Sequence, residues 1–229
     1  SGDDFYITSA RIAIQETTIA IWDESLNKNI KPQSVLQWAR SALATRLAST
    51  AEEWVYYYSL YNSGLYNNQW MVFDYNRFHP GKGLDDGAFW IYEQIPGGGH
   101  SGDLTNYLRN TTYWGSYNIP YFKDIYNACG YPAKVEEWEP KAMSWEDGAR
   151  AQIFRRDHWK VHDLASMARM MRYNDYQHDP ISSCNCTPPF TSQYSISSRS
   201  DLHDKNGQYP FASLGFRDHM GTDVKITGQ

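Results

Sequence analysis

Residues 5–22 read FYITSARIAIQETTIAIW. Ile, Thr and Tyr at alternating positions predict extended chain, two strands with a turn near residues 15–18. Residues 70–78 (WMVFDYNRF) and 88–95 (AFWIYEQI) have the same character. The turn-rich HPGKGLDDG between them makes a hairpin with a long loop. Between these strand blocks the period changes. In residues 32–49, Val35, Leu36, Ala39, Leu43 and Leu47 fall on one helical face, with Pro32 where a helix can begin. A second helix opens on a capping box, Thr50 with Glu53, and closes at Asn62-Ser63-Gly64. Two helices with a short link predict an antiparallel pair packed as one layer.

Further along, Pro96-Gly97-Gly98-Gly99 reads as a turn. Asp103 is a candidate N-cap for a short helix through Arg109, and Pro120 opens another that ends near Cys129-Gly130. Val161, Leu164, Ala165, Ala168 and Met171 repeat with helical period. Residues 182–206, rich in Ser, Pro, Asn and Asp, are expected to be a surface loop, and residues 223–227 (DVKIT) a last short strand. Strands and helices come in blocks rather than in strict alternation. The expectation is an α+β fold, a mainly antiparallel sheet flanked by helices, in a single domain over residues 1–229.

The chain has 229 residues, 41% of them hydrophobic, with mean hydropathy −0.67. That suits a globular protein with a real core, and no stretch approaches the twenty or so apolar residues of a membrane span. The formal net charge is −5, with both signs spread along the chain, which argues against a nucleic-acid partner. Nine Trp and eighteen Tyr are read mainly as core filling, although such side chains also line pockets for amphipathic ligands. Ser1 opens a segment with neither a charged nor an apolar leader, so any targeting signal is expected outside the chain. Two sequons, at Asn110 and Asn185, with Cys184 and Cys186 flanking the second, suggest glycosylation in an oxidising compartment.

The residues alone offer no decisive catalytic motif: no G-x-S-x-G elbow, Walker loop, C-x-x-C pair or H-E-x-x-H. His158 and His162 share a helical spacing, but no third zinc ligand is indicated, and a solvated helix face is the simpler reading. His178-Asp179-Pro180 reads as a turn rather than a base–acid pair. The glycines before His100 lack the Lys and Ser or Thr of a phosphate cradle. Cys129 sits at a helix C-terminus, where the dipole raises a thiol pKa, and is read as structural. Cys184 and Cys186 are expected to crosslink with each other or with a segment outside the chain. A free Ser1 could attack with its own α-amine as base, but Ser-Gly is also a common cleavage scar.

Several blocks together resemble the phospholipase B-like (lamina-ancestor) family. They are Asp3-Asp4-Phe5-Tyr6-Ile7; Tyr61-Asn62-Ser63-Gly64 with Tyr66-Asn67-Asn68-Gln69-Trp70-Met71; and Glu93-Gln94-Ile95-Pro96. Then come Tyr113-Trp114 with Ser116-Tyr117-Asn118-Ile119-Pro120; Arg150-Ala151-Gln152-Ile153-Phe154-Arg155-Arg156-Asp157; Met171-Arg172-Tyr173-Asn174 with Asp179-Pro180; and Asp223-Val224-Lys225. They keep the family's order from one end of the chain to the other.

The resemblance implies an N-terminal-nucleophile (Ntn) hydrolase fold, an αββα sandwich of which this chain would be the carboxy-terminal, incomplete portion. It implies a glycosylated, lysosomal or secreted precursor that cleaves itself to expose a nucleophilic Cys. That Cys would lie before Ser1, because none of Cys129, Cys184 or Cys186 matches it. The partner in sequence would be the remaining portion of the same precursor, and the chain by itself would be inactive. Asn118 resembles a pocket Asn that helps form an oxyanion hole, Arg150 a pocket arginine, and Thr17 or Thr18 a pocket threonine. Read structurally, Asn118 would cap the helix after Pro120, and Arg150 would pair with Glu146 or Asp157. No cofactor is implied.

The expected function is hydrolysis of an acyl ester or amide bond in a lipid-linked or peptide-like small molecule. The alternative is a non-catalytic lipid- or glycan-binding protein, motivated by the aromatic content and the missing nucleophile. A third reading, catalysis by Ser1, predicts that blocking the amino terminus abolishes activity.

Overall fold

The computed structural model describes residues 4–209 and a two-residue strand at Phe216–Arg217. Ser1 and the expected strand at residues 223–227 lie outside the described residues. The chain divides into two compact units, the first running through Tyr131 and the second beginning at Pro132.

The first unit is built on a five-stranded antiparallel sheet in sequence order: β1 (Phe5–Ile7), β2 (Ile12–Thr18), β3 (Asn68–Asp74), β4 (Phe89–Ile95) and β5 (Gly98–Asp103). The turn joining β1 to β2 lies earlier than the sequence predicts. Thr8 and Arg11 close it (Arg11 N–H to Thr8 O, 3.0 Å), with Arg11 at φ +63°, and residues 15–18 continue β2. Pairing of β2 with β3 along Ile12↔Asp74 through Thr18↔Asn68 holds that stretch straight.

Helix α1 (Gln37–Leu47) and α2 (Ala51–Ser59) form the expected adjacent pair. At the start of α2, Thr50 accepts the Glu53 N–H at 3.1 Å, and the Glu53 carboxylate reaches back to the Ser49 N–H at 2.8 Å. The helix ends at Ser59, ahead of Gly64. Its aromatic face meets the sheet: Trp54 and Tyr58 pack with Trp70 of β3, ring centroids 4.8–5.1 Å apart, and Tyr92 of β4 closes the box. Ile12, Ile14 and Val72 complete this core.

α1 corrects the sequence reading twice. It begins at Gln37 rather than Pro32, because Val35 is drawn into a bridge with Asn62. It also turns the opposite face inward. Leu36, Leu43 and Leu47 are exposed (Leu47 57%), while Gln37, Arg40 (3%), Ser41 and Ala44 are buried. The aromatic layer fills the interior, and α1 meets it with Ser41 and Ala44 and with the polar Gln37 and Arg40 rather than with its leucines. Arg40 is accommodated because its guanidinium donates to Tyr58 O (2.9 Å) and to Gln94, and lies 4.3 Å from the Tyr58 ring centroid.

The segment read as a glycine turn is a turn followed by a strand. Pro96-Gly97 makes the reversal, and Gly98–Asp103 pairs with β4 along its whole length. Gly99 is required in that strand, since a Cβ there would lie 2.6 Å from the Glu93 carbonyl oxygen. Two short helices follow, α3 (Thr105–Thr111) and α4 (Lys123–Ala128), the latter starting three residues beyond Pro120. The N-cap position expected for Asp103 falls to Leu104, which caps with no side chain. Asp103, one residue earlier, accepts the Thr105 N–H at 2.9 Å as a local turn, and α3 runs on past Arg109 to Thr111.

The second unit carries α5 (Tyr131–Glu137, which begins at the boundary), α6 (Pro140–Met143), α7 (Ala149–Asp157), α8 (Leu164–Met171) and the small ribbon of β6 (Ser198–Arg199) with β7 (Phe216–Arg217). α8 again buries other positions than its apolar repeat suggests: Ser166 and Met170 are buried and Leu164 is exposed. Ser166 is inside because its hydroxyl accepts the His162 and Asp163 N–H groups at 2.9 Å while Asp163 caps the helix.

Residues 191–198, inside the expected surface loop, are buried. Serines make this possible by pairing with backbone: Ser182 Oγ donates to Tyr194 O (2.9 Å) and Ser195 Oγ to Ser192 O (2.7 Å). Cys184 and Cys186 are bonded to each other, with Asn185 exposed between them.

Candidate functional site

Antiparallel pairing sets Thr17 of β2 opposite Gln69 of β3, Gln69 opposite Glu93 of β4, and Glu93 opposite His100 of β5. Residues directly opposite share a face of the sheet, so these four form one polar row across it. The face turned to α2 carries the next register, Glu16, Trp70 and Tyr92.

Residues 113–124 run over the polar row and are tied to it at each step. The Thr17 and Ser116 hydroxyls lie 2.6 Å apart. Trp114 Nε1 donates to Gln69 Oε1 at 3.3 Å, and Gln69 Nε2 donates to Glu93 Oε1 at 2.6 Å. The Glu93 carboxylate also accepts the backbone N–H of Tyr121 (2.6 Å) and of Phe122 (3.1 Å). His100 Nδ1 pairs with Asp124 at 2.8 Å, its ring stacked 3.9 Å from that of Phe122.

Glu93 is fully buried, and burial pushes its carboxyl up to about 7 against the opposing pull of Gln69 and the two backbone donors. The sequence reading missed it. The available signal was a carboxylate in the middle of an otherwise apolar strand, where a charge survives only with dedicated donors. Glu16, in the polar half of β2, is a second buried carboxyl, without that signal in its neighbours. Burial, with the neighbouring Asp4 carboxyl, pushes it up to about 8, and Tyr66 Oη donates to it at 2.9 Å and to Asp4 at 3.3 Å.

The strapped segment carries Asn118, at φ +66°, a left-handed conformation that Asn tolerates better than most residues. Its side chain Nδ2 donates to the Thr18 carbonyl at 2.9 Å, and its own carbonyl accepts from Tyr131 Oη at 2.9 Å. The same Tyr131 hydroxyl accepts the Ala20 N–H at 3.2 Å, locking this turn against the end of β2. Asn118 does not cap a helix, since α4 starts at Lys123. Thr17, Thr18 and Asn118 are thus brought together: Thr17 through Ser116 on the strapped face, Thr18 through its backbone carbonyl, with its side chain exposed.

Arg150 lies in the second unit, in the first turn of α7, and is buried. Of the partners proposed for it, Asp157 receives Arg156 and Lys160, each at 2.6 Å.

Cys129 is wholly buried, its thiol pushed up to about 12 by burial and then by the charges of Glu93 and Asp23, which is the opposite of a nucleophile's environment. His178 pairs with Asp175 (2.7 Å), while Asp179 accepts Arg156 (2.9 Å) and Tyr173 (2.7 Å), so the His178-Asp179 dipeptide is not a working pair. His158 Nδ1 lies 3.2 Å from Phe154 O, and among the described residues no three His, Cys, Asp or Glu side chains are grouped to hold a metal. Asn110 is exposed, as Asn185 is. No helix among the described residues is long and apolar enough to cross a membrane.

Comparison with known proteins matches the sequence to its expected relatives. The chain is 48% identical to phospholipase B-like 2 of Bos taurus and 46% identical to phospholipase B-like 2 of Homo sapiens. Each match covers 99% of this chain and 39% of the relative. It is 44% identical to phospholipase B-like 1 of Caenorhabditis elegans, over 99% of this chain and 40% of that protein. The chain therefore spans about two fifths of the length of these relatives, whose names record likeness to a phospholipase B rather than an assayed reaction. The family model described as Phospholipase B matches residues 1–229, and with these relatives it establishes that the chain belongs to the phospholipase B family.

Proposed function

We propose that this chain forms part of a cysteine Ntn hydrolase that cleaves an acyl ester or amide bond of a lipid-linked small molecule. The attacking Cys is supplied by a part of the polypeptide outside residues 1–229. The single observation that carries the reading is the joining of Asn118 to the Thr17–Thr18 end of β2, within the motif order of the family. The chain's own cysteines favour an external nucleophile: Cys129 is buried with a raised pKa, and Cys184 and Cys186 are bonded to each other.

In this reading the thiolate adds to the acyl carbon, and the α-amine of the same Cys accepts the thiol proton and passes it to the departing alcohol or amine. Water then hydrolyses the thioester. Asn118 donates to the developing oxyanion, its turn held by the Glu93 and Tyr131 contacts so that little reorganisation is needed. Arg150 favours the thiolate or orients an anionic headgroup. Thr17, on the strapped face, is the pocket threonine, and Thr18 contributes its backbone. Asn110 and Asn185 are glycosylated in a lysosomal or secreted product, consistent with their exposure.

The test is turnover of the full-length protein on acyl substrates. Asn118→Ala should lower kcat by roughly a hundredfold, the scale for losing one oxyanion donor, and Arg150→Ala should lower kcat/KM. Wild-type rates in both variants would remove these assignments. The non-catalytic alternative loses part of its motive, since Trp54, Tyr58, Trp70 and Tyr92 are core residues. It would regain ground if the full-length protein bound lipid tightly and released no acyl product.

A further inference from the structure

The connection between α7 and α8 presents two large apolar side chains to solvent, Trp159 (64% exposed) and Leu164 (65%). Trp159 belongs to a short 3-10 turn, His158–Lys160, and Leu164 opens α8 five residues later. The indole has one polar atom, and it is already paired: Nε1 donates to the Arg156 carbonyl at 2.8 Å. What the ring shows to solvent is hydrocarbon, so it can leave water without giving up a hydrogen bond.

A rigid base carries the turn. Asp157, buried, accepts Arg156 Nη2 and Lys160 Nζ at 2.6 Å each. Arg156 Nη1 then reaches both oxygens of Asp179 at 2.9 Å, and Asp179 also takes the Tyr173 hydroxyl. The turn is therefore held before any partner arrives.

The charge around it is mainly positive. Residues 155–172 contain five cations (Arg155, Arg156, Lys160, Arg169 and Arg172) against two carboxylates, Asp157 and Asp163. Arg156 and Lys160 are paired with Asp157 and Asp179, and Asp163 caps α8, which leaves Arg155, Arg169 and Arg172 outside that ion-pair base. A local excess of positive charge stands out in a chain whose formal net charge is −5. Exposed Trp and Leu among Arg and Lys is the combination that enters the headgroup layer of a negatively charged bilayer, the apolar groups inserting and the cations staying with the phosphates.

We infer that the α7–α8 connection is a membrane-docking element, with Trp159 and Leu164 inserting into the surface of an anionic lipid bilayer and the surrounding cations meeting its headgroups. This holds independently of the hydrolase reading, because docking is measured without turnover.

Co-sedimentation of the intact protein with vesicles tests it, comparing phosphatidylcholine alone with phosphatidylcholine containing phosphatidylserine. Binding is expected to the anionic vesicles, and to weaken at least about tenfold on raising salt from about 0.05 to 0.5 M. The double variant Trp159→Ser, Leu164→Ser should bind about tenfold more weakly than wild type. Both side chains are solvent-exposed, so its thermal unfolding should match wild type. Arg169→Glu, a change outside the ion-pair base, should weaken binding without touching the apolar pair. The inference fails if the intact protein does not bind anionic vesicles, binds neutral ones equally, or binds as tightly with the double substitution. It fails equally if the face instead takes an acidic protein segment that vesicles cannot displace.

Discussion

The Glu93 carboxylate accepts the backbone N–H of Tyr121 at 2.6 Å, and through that bond a central strand of the sheet fixes the segment that carries Asn118. Phe122 N–H and Gln69 Nε2 complete its donors, so one buried side chain holds two neighbouring loop residues and a third group from the adjacent strand.

Replacing Glu93 with Leu leaves those donors buried and unpaired, and should cost about 2–4 kcal/mol. Glu93→Gln keeps an acceptor and should cost about half as much. Chemical denaturation of both variants checks the order, and equal stability of Leu and wild type would show that the strap is not anchored here.

Two buried carboxyls set the alkaline side of the stability profile. Glu93 and Glu16 are raised from 4.5 to about 7 and about 8, first of all by burial. A carboxyl raised in the folded state favours folding most when protonated. Its contribution is fully present below its unfolded value and is lost as pH rises through its folded one. Stability should therefore fall between pH about 5 and 8, and Tm should drop by several degrees over that window. Glu16→Gln should flatten the slope. A wild-type Tm that rises from pH 5 to 8 would contradict the assignment.

The inward face of α1 can be tested by two substitutions with opposite expectations. Leu47→Lys, on the exposed stripe, should change stability by less than about 0.5 kcal/mol. Ser41→Leu, at a fully buried position, should cost about 1–3 kcal/mol through overpacking. Urea midpoints read both.

The three glycines before His100 should separate by geometry rather than by composition. A Cβ at Gly98 meets nothing within 4 Å, so Gly98→Ala should be tolerated. At Gly99 it would lie 2.6 Å from the Glu93 carbonyl, and at Gly97 (φ +88°) 2.7 Å from Asn29 Cβ. Each of those two substitutions should lower Tm by several degrees, an effect of about 1–3 kcal/mol.

Thiol chemistry gives a last check. In the native protein Cys129 should resist an aromatic disulfide reagent, and one thiol should titrate only on unfolding under non-reducing conditions.

Local signals carried a good part of the fold. Runs of β-branched and aromatic residues in 12–18, 70–74 and 89–95 mark β2, β3 and β4, strands buried almost continuously because both faces of the sheet are covered. Thr50 and Glu53 mark the start of α2 because a cap is a contact between near neighbours. The family, too, is legible in the order of the motifs.

What sequence alone does not carry is which face of a helix turns inward. The apolar stripe of α1 points to solvent because the space beneath it was already taken by Trp54, Tyr58 and Trp70, residues that arrive from elsewhere in the chain. Likewise β5 pairs despite its glycines because β4 lies close beside it, and the backbone of residues 191–198 is buried with partners from elsewhere, Ser182 Oγ donating to Tyr194 O and the Ser197 N–H to Tyr173 O. At the candidate site the sequence offered Thr17, Thr18 and Asn118 as separate motif positions a hundred residues apart. Their meeting, and the role of Glu93 in bringing it about, are decided by strand register and by hydrogen bonds across the sheet. Such contacts join residues far apart in the chain, and no local pattern can encode them.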